Sequence, residues 1–205
     1  MAQITKIGES DWILFPSLAL LGLLFAAFLA ARRRLVKLVL LEQAWLFLFV
    51  FAGVGLPSLI SSLFKGLFGR GRPMDLDDPS PFGFHPNWLT WTDQSFPSGH
   101  ATTAFALATV LSFLSPRWRV PVFMVAALVG VSRVVLGMHY PSDVLGGAAL
   151  GTLGTYAVRR AFAQRRMLFE NKPEGEIALR PLGALRRYLS LRRRGSARVP
   201  RQGPT

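Results

Sequence analysis

The 205-residue chain has no cysteine. That removes disulfides, thiolate nucleophiles and Cys-ligated zinc. It is also short of charge: 17% of residues are Asp, Glu, Lys or Arg, against 51% hydrophobic. A disordered chain or a collagen does not have this composition. Acidic residues are the scarcest charged class, 11 against 24 Lys and Arg, for a net charge of +13. Such an excess suggests nucleic acid, but its distribution argues against that reading. Residues 159–205 hold 13 Lys/Arg and 3 Asp/Glu, whereas residues 1–158 hold 11 and 8. The basic character is a tail on a nearly balanced apolar body.

That body is built of long uncharged runs. Trp12 to Ala31 is 20 residues without a charge, enough to cross about 30 Å of hydrocarbon as a helix. Further apolar blocks predict spans near 12–31, 43–64, 99–115, 120–137 and 141–158. A soluble domain of this size could bury one such helix, not five. The fold expected is all-α: a polytopic membrane helix bundle of about five transmembrane helices over residues 1–162. A basic tail over 163–205 follows, either disordered or an interfacial helix. The first run carries Arg32, Arg33 and Arg34 after its apolar core, opposite to the order in a signal peptide. With five spans, the basic segments at Arg32–Lys37, at Arg117 and Arg119, and in the tail share one face. The positive-inside rule makes that face cytoplasmic. The long second connection, with Lys65, Arg70, Arg72, Asp75, Asp77, Asp78 and Asp93, then faces outward with the fourth. Gly147 and Gly151 form a GxxxG spacing that predicts close helix packing.

Three clusters mark the outer edge: Lys65-GLFGRG-Arg72-Pro73, then Pro97-Ser98-Gly99-His100, then Ser132-Arg133-VVLGM-His139-YPS-Asp143. In order and spacing they resemble the signature of the type 2 phosphatidic acid phosphatase (lipid phosphate phosphatase) family, K-x6-RP, PSGH and SR-x5-H-x3-D, with every fixed position present. The likeness covers roughly Lys65 to Gly151. It implies the membrane-bound branch of a superfamily shared with soluble vanadium haloperoxidases, and an enzyme acting on lipid phosphates. It also implies His139 as nucleophile, Asp143 as its partner, His100 as acid/base, and Lys65, Arg72, Ser98, Gly99 and Arg133 as phosphate-binding residues.

The residue types suit that chemistry in their own right. Phosphoryl transfer needs an in-line nucleophile, a proton for the leaving oxygen and positive charge around the equatorial oxygens. Lys65, Arg72 and Arg133 supply three cations, two with the planar fork that matches phosphate. Ser98 and Gly99 open a helix, where backbone N–H groups favour an anion. A neutral imidazole attacks through one nitrogen and needs the other held by an acceptor. Asp143 lies one helical turn after His139, and Pro141 suits the first turn of a helix between them. His100 is the remaining proton carrier. Of three histidines, His85, His100 and His139, two are used in this way, so neither a metal nor a cofactor is expected. Asp75, Asp77 and Asp78 read as a solvated loop, and Trp88 and Trp91 as an interfacial belt.

The function expected is hydrolysis of a terminal phosphate from a lipid phosphate or polyprenyl diphosphate through a phosphohistidine. Undecaprenyl diphosphate and phosphatidylglycerophosphate lead the substrates. The alternatives are a lipid A phosphatase, or a phosphotransferase using the same site. The partners expected are the membrane lipid substrate and anionic lipids at the tail, with no nucleic acid. The location expected is a bacterial inner membrane, with the site facing the periplasm or exterior and the tail in the cytoplasm. Oligomeric state is left open.

Overall fold

The computed structural model describes residues 10–75, 82–84, 86 and 94–196, excluding the side chains of Asp75 and of residues 192–196. Its elements in chain order are α1 (Asp11–Ala30), α2 (Arg34–Phe68), α3 (Gly99–Leu114), α4 (Arg119–Val135), α5 (Pro141–Gln164), β1 (Phe169–Asn171), β2 (Ile177–Leu179) and α6 (Gly183–Ser196). Single 3-10 turns at Pro73–Asp75 and Pro116–Trp118 join them.

Among the described residues, three helical segments are long and apolar enough to cross a membrane: Asp11–Ala30, Arg34–Phe68 and Pro116–Val135. The apolar α3 is shorter, at 16 residues. α5 has 24 residues but is diluted by Gly146, Gly147, Gly151, Gly154 and Thr155. The reason for the difference is packing. α3 is the central helix, in contact with α2, α4 and α5. Ala101, Thr102, Thr103, Ala104, Ala106 and Ala108 along it are buried. Small residues let backbones approach where bulky apolar ones would hold them apart. A Cβ at Gly147 would stand 2.5 Å from the Ser98 carbonyl oxygen, and one at Gly151 would strike the Thr102 carbonyl. The GxxxG pair is thus the seam between α5 and α3. The outer helices instead expose large side chains, including Phe15, Leu23, Phe25, Leu59, Met124 and Val131. Exposed apolar surface on this scale suits lipid and not water.

α5 runs through Gln164. The chain from Phe169 to Ser196 forms a hairpin and a helix. β1 and β2 pair antiparallel, Phe169 opposite Leu179. Leu168 and Phe169 are buried in one cluster with Phe49, Val54, Val110 and Phe162. The Phe169 ring meets Phe49 edge-on at 4.7 Å between centroids. Arg159 stacks over Phe113 at 4.1 Å and donates to the Ile177 carbonyl. Glu42 of α2 accepts the backbone N–H groups of Ala184 and Leu185 at 2.9 and 3.0 Å. It thereby satisfies orphan donors at the α6 N-terminus with a negative charge. The hairpin and α6 therefore pack at the end of the bundle where α2 begins.

Candidate functional site

The site forms at the opposite end, where α2 and α4 stop and α3 and α5 start. Lys65 occupies the last turn of α2, which Gly69 closes in the left-handed region at φ 52°. A Cβ there would be strained, so glycine ends the helix and turns the chain toward Arg70 and Arg72. Ser98 is the N-cap of α3, and Gly99 and His100 are its first residues. Arg133 lies in the last turn of α4. His139 sits in the turn into α5, whose first residue is Pro141 and whose first turn holds Asp143.

These ends converge. His100 is within electrostatic reach of Arg133, His139, Lys65 and Arg72, and His139 of Arg72, Asp143 and Lys65. Gly99 leaves room for the Lys65 ammonium, since a Cβ in its place would come within 3.3 Å of Nζ. The Ser98 N–H donates to the Asp143 carbonyl at 3.0 Å, tying the second motif to the third. All eight residues singled out from the sequence, Lys65, Arg72, Ser98, Gly99, His100, Arg133, His139 and Asp143, thus fall in one cluster. His85, Trp88, Trp91, Asp77 and Asp78 lie outside the described residues, as does the Asp75 side chain.

Asp143 is fully buried, and both its oxygens are used. Oδ2 accepts the Tyr140 N–H at 2.8 Å and the Ser95 hydroxyl at 2.6 Å. Oδ1 accepts from the Arg70 guanidinium. Arg70 also donates to Ser142 Oγ at 2.8 Å and stacks on the Tyr140 ring at 4.1 Å. The expected pairing of His139 with Asp143 is present as an ion-pair contact and not as a short hydrogen bond. Nδ1 stands 3.7 Å from Oδ2, an ion-pair separation beyond hydrogen-bond range. Ser95 Oγ is nearer, at 3.4 Å. The physical reason is that Oδ2 already caps α5 at Tyr140, which holds the carboxylate against the helix start. Ser95 and Arg70 are the residues that sequence reasoning missed or left without a role. Ser95 has no spacing cue, being 48 positions from Asp143, and Arg70 sits inside the first motif at a position the motif does not fix.

Burial pushes the His139 imidazole below its ordinary range; Arg72 and Lys65 push the same way, and Asp143 opposes them. The ring is therefore neutral near pH 7, with one nitrogen facing Ser95 and Asp143 and the other free to attack. Ser98 Oγ and His100 Nε2 are buried with no hydrogen-bond partner among the described residues. An unsatisfied buried polar atom costs about 1–3 kcal/mol. The Ser98 hydroxyl does not even cap its own helix. Two such atoms among Lys65, Arg72 and Arg133 fit an oxyanion that would accept from the hydroxyl, a ring N–H and the cations together. A site this rich in cations suits a phosphate group.

The comparisons with known proteins agree with this arrangement. The model of the PAP2 superfamily matches residues 43–167. A lipid A 1-phosphatase of Rhizobium johnstonii is 33% identical over 172 residues, which cover 84% of this chain and 70% of that protein. Phosphatidylglycerophosphatase B of Bacillus subtilis is 28% identical, over 84% of this chain and 78% of its own length. The crystal structure of a transmembrane PAP2 type phosphatidylglycerolphosphate phosphatase from Bacillus subtilis superposes with a TM-score of 0.52 at 27% identity, covering 80% of this chain and 75% of the other. With the family model matching well over half of its length, a helical membrane-type fold and the three motifs gathered at one end of the bundle, the chain belongs to the PAP2 superfamily as an integral membrane phosphatase.

Proposed function

We propose that the protein removes a terminal phosphate from a membrane lipid, with His139 as the nucleophile. The observation that carries this reading is the convergence of a buried neutral imidazole, a second histidine and three cations around two unsatisfied polar atoms. In the first step His139 Nε2 attacks phosphorus while the bond to the lipid oxygen breaks. The negative charge of the bound phosphate favours the protonated form of His100, which gives its proton to that oxygen, and the free lipid leaves. The phosphoimidazolium retains its Nδ1 proton, and the Asp143 carboxylate balances its charge. In the second step His100, now neutral, takes a proton from water as the water oxygen attacks phosphorus. The P–N bond breaks, inorganic phosphate departs, and His139 and His100 regain their starting states. Lys65, Arg72, Arg133, the Ser98 hydroxyl and the N–H groups at Gly99 and His100 hold the phosphoryl oxygens, where charge builds in the transition state.

Among lipid phosphates, the 1-phosphate of lipid A is the leading substrate. The support is the extent of the match to the Rhizobium enzyme, 84% of this chain at 33% identity. Undecaprenyl diphosphate, phosphatidylglycerophosphate and phosphatidate follow. The test is phosphate release by the purified protein from each of these lipids, beside His139→Ala. Stoichiometric free phosphate from one lipid, absent in the variant, is expected. Release from none of them, or full release by His139→Ala, refutes the reading. Transfer of the phosphoryl group to a second lipid without free phosphate would instead identify a phosphotransferase.

The location proposed is a bacterial inner membrane, with residues 1–162 as the membrane-embedded body, the site outside and the basic end within. The support is that the site and the Lys/Arg-rich segments occupy opposite ends of α2 and α5. The exposed Arg186, Arg187, Leu189 and Leu191 of α6 then lie against anionic headgroups. In a chain without cysteine, a Cys placed at Asp77 should react with an impermeant reagent in intact spheroplasts, and one at Ser196 should not. The reverse pattern would overturn the orientation.

A further inference from the structure

We propose that Ser95 is a positioning residue for the nucleophile, and that Asp143 acts on His139 through the Ser95 hydroxyl. The inference rests on the reaction proposed above and adds a residue that none of the three motifs contains.

The geometry has three parts. Ser95 Oγ lies 2.6 Å from Asp143 Oδ2 and 3.4 Å from His139 Nδ1, closer than the 3.7 Å direct separation of that nitrogen from the carboxylate. A hydroxyl has one proton to give. The carboxylate, which can only accept, takes it; the Oγ lone pairs are left to accept Nδ1–H. The chain of donors then runs from the imidazole to the serine and from the serine to the aspartate. It fixes the tautomer with the proton on Nδ1 and the lone pair on Nε2, the form that can attack phosphorus. Hydrogen bonds of this kind are often long before substrate binds.

Second, Ser95 is held in place. It is completely buried, and its N–H donates to the Arg70 carbonyl at 2.9 Å. The Arg70 guanidinium in turn grips the other oxygen of Asp143 and the Ser142 hydroxyl. One short segment therefore fixes both the hydroxyl and the carboxylate it serves.

Third, the carboxylate does not need the serine to be satisfied. Arg70 and the Tyr140 N–H already bind Asp143. A polar side chain in this fully enclosed place is needed for what it does to His139.

The charged and titratable groups that face His139 are Lys65, Arg72, His100 and Asp143, with Arg70 behind Asp143. Removing the Ser95 hydroxyl takes away the acceptor of Nδ1–H, and such an acceptor favours the imidazolium more than the neutral ring, so the imidazolium is disfavoured. The acid limb of kcat/KM should then move to lower pH.

The experiment compares wild type, Ser95→Ala, Ser95→Thr and His139→Ala. Steady-state kinetics use the lipid phosphate on which the wild type is most active. Inhibition by inorganic phosphate reports occupancy of the anion site, and thermal unfolding in detergent reports integrity. Ser95→Ala should lose about 10- to 100-fold in kcat, the scale on which outer partners of a functional histidine act. KM and the inhibition constant for phosphate should stay within about twofold, and the acid limb should move downward. Ser95→Thr, which keeps the hydroxyl, should recover most of the rate. A folded Ser95→Ala enzyme with kcat within twofold of wild type overturns the inference. So does a loss of kcat matched by loss of phosphate binding with an unmoved acid limb, or a stably folded Ser95→Thr no faster than Ser95→Ala. In each of those cases a wild type whose activity depends on His139 leaves the proposed reaction standing. A wild type that releases no phosphate from any lipid sinks that reaction, and this inference with it.

Discussion

Replacing Asp143 by Asn separates the structural work of this carboxylate from its chemical work. The carboxylate accepts from Arg70 on one oxygen and from Ser95 and Tyr140 on the other. An Asn side chain has one acceptor and one donor end. Turned one way, its NH2 faces the Arg70 guanidinium; turned the other, it faces the Tyr140 N–H. Either way a donor meets a donor, and the buried Arg70 charge, 4% exposed in its side chain, loses the negative charge of Asp143. Breaking a buried pair from one side costs about 3–5 kcal/mol. The chemical loss is separate, because the imidazolium formed on attack loses the balancing charge. An Asp→Asn change in the orienting position of a catalytic triad costs about 10⁴ in kcat. The less direct contact here, through Ser95, places the expected loss at about 10²–10⁴. The double variant Arg70→Gln, Asp143→Asn removes both charges. It should regain most of the stability, since two neutral amides can pair, but little of the activity. Thermal unfolding in detergent and phosphate release from the preferred lipid read the two effects. If Asp143→Asn keeps kcat within tenfold of wild type, or if the double variant recovers activity along with stability, the assignment of Asp143 to the nucleophile is wrong.

Further outcomes are expected. Burial holds His139 below its ordinary value, so the neutral nucleophile should persist as pH falls through about 6.5, the usual imidazole midpoint. The acid limb of kcat/KM should lie below that value, and a midpoint at or above it contradicts a neutral, buried His139. Truncation after Ser196 should change neither turnover nor stability. Truncation after Met167 removes Phe169 from its contact with Phe49, a loss of about 3–5 kcal/mol. At roughly 2–4 °C per kcal/mol for a chain of this size, Tm in detergent should fall by about 10 °C. An unchanged Tm would show that the hairpin is not part of the packed body. Turnover should survive EDTA, because Lys65, Arg72 and Arg133 carry the positive charge; loss restored by magnesium or zinc would refute a mechanism built on these side chains alone.

Much of the site could be read from the chain itself because its chemistry is confined to helix ends. Lys65 closes a helix, Ser98 and Gly99 open one, and His139 and Asp143 bracket a Pro141 that starts another. Each is a local signal, legible in residue type and spacing. The His139–Asp143 pair expected from one-turn spacing is present but long, because spacing fixes a shared face but not a distance. Cap geometry at Tyr140 drew the carboxylate aside. The tail misled for a similar reason. Its arginines suggested a solvated or lipid-bound segment, while Leu168 and Phe169 are too short a run to announce a place in the core.

Hydropathy and charge order, both sums over contiguous residues, therefore determined a helical membrane bundle and the end of it that carries the chemistry. The three motifs named the residues that converge at that end. Tertiary structure alone decided which helices meet lipid and which make the interior, since α3 and α5 carry small residues whose value appears only where backbones touch. It alone brought Ser95 and Arg70 to Asp143 across 48 and 73 residues of chain. A serine two residues before a proline and an arginine near a helix end have no periodicity that points to a partner. Their roles come from the closing of α5 onto α3, which sets where a hydroxyl or a guanidinium can reach.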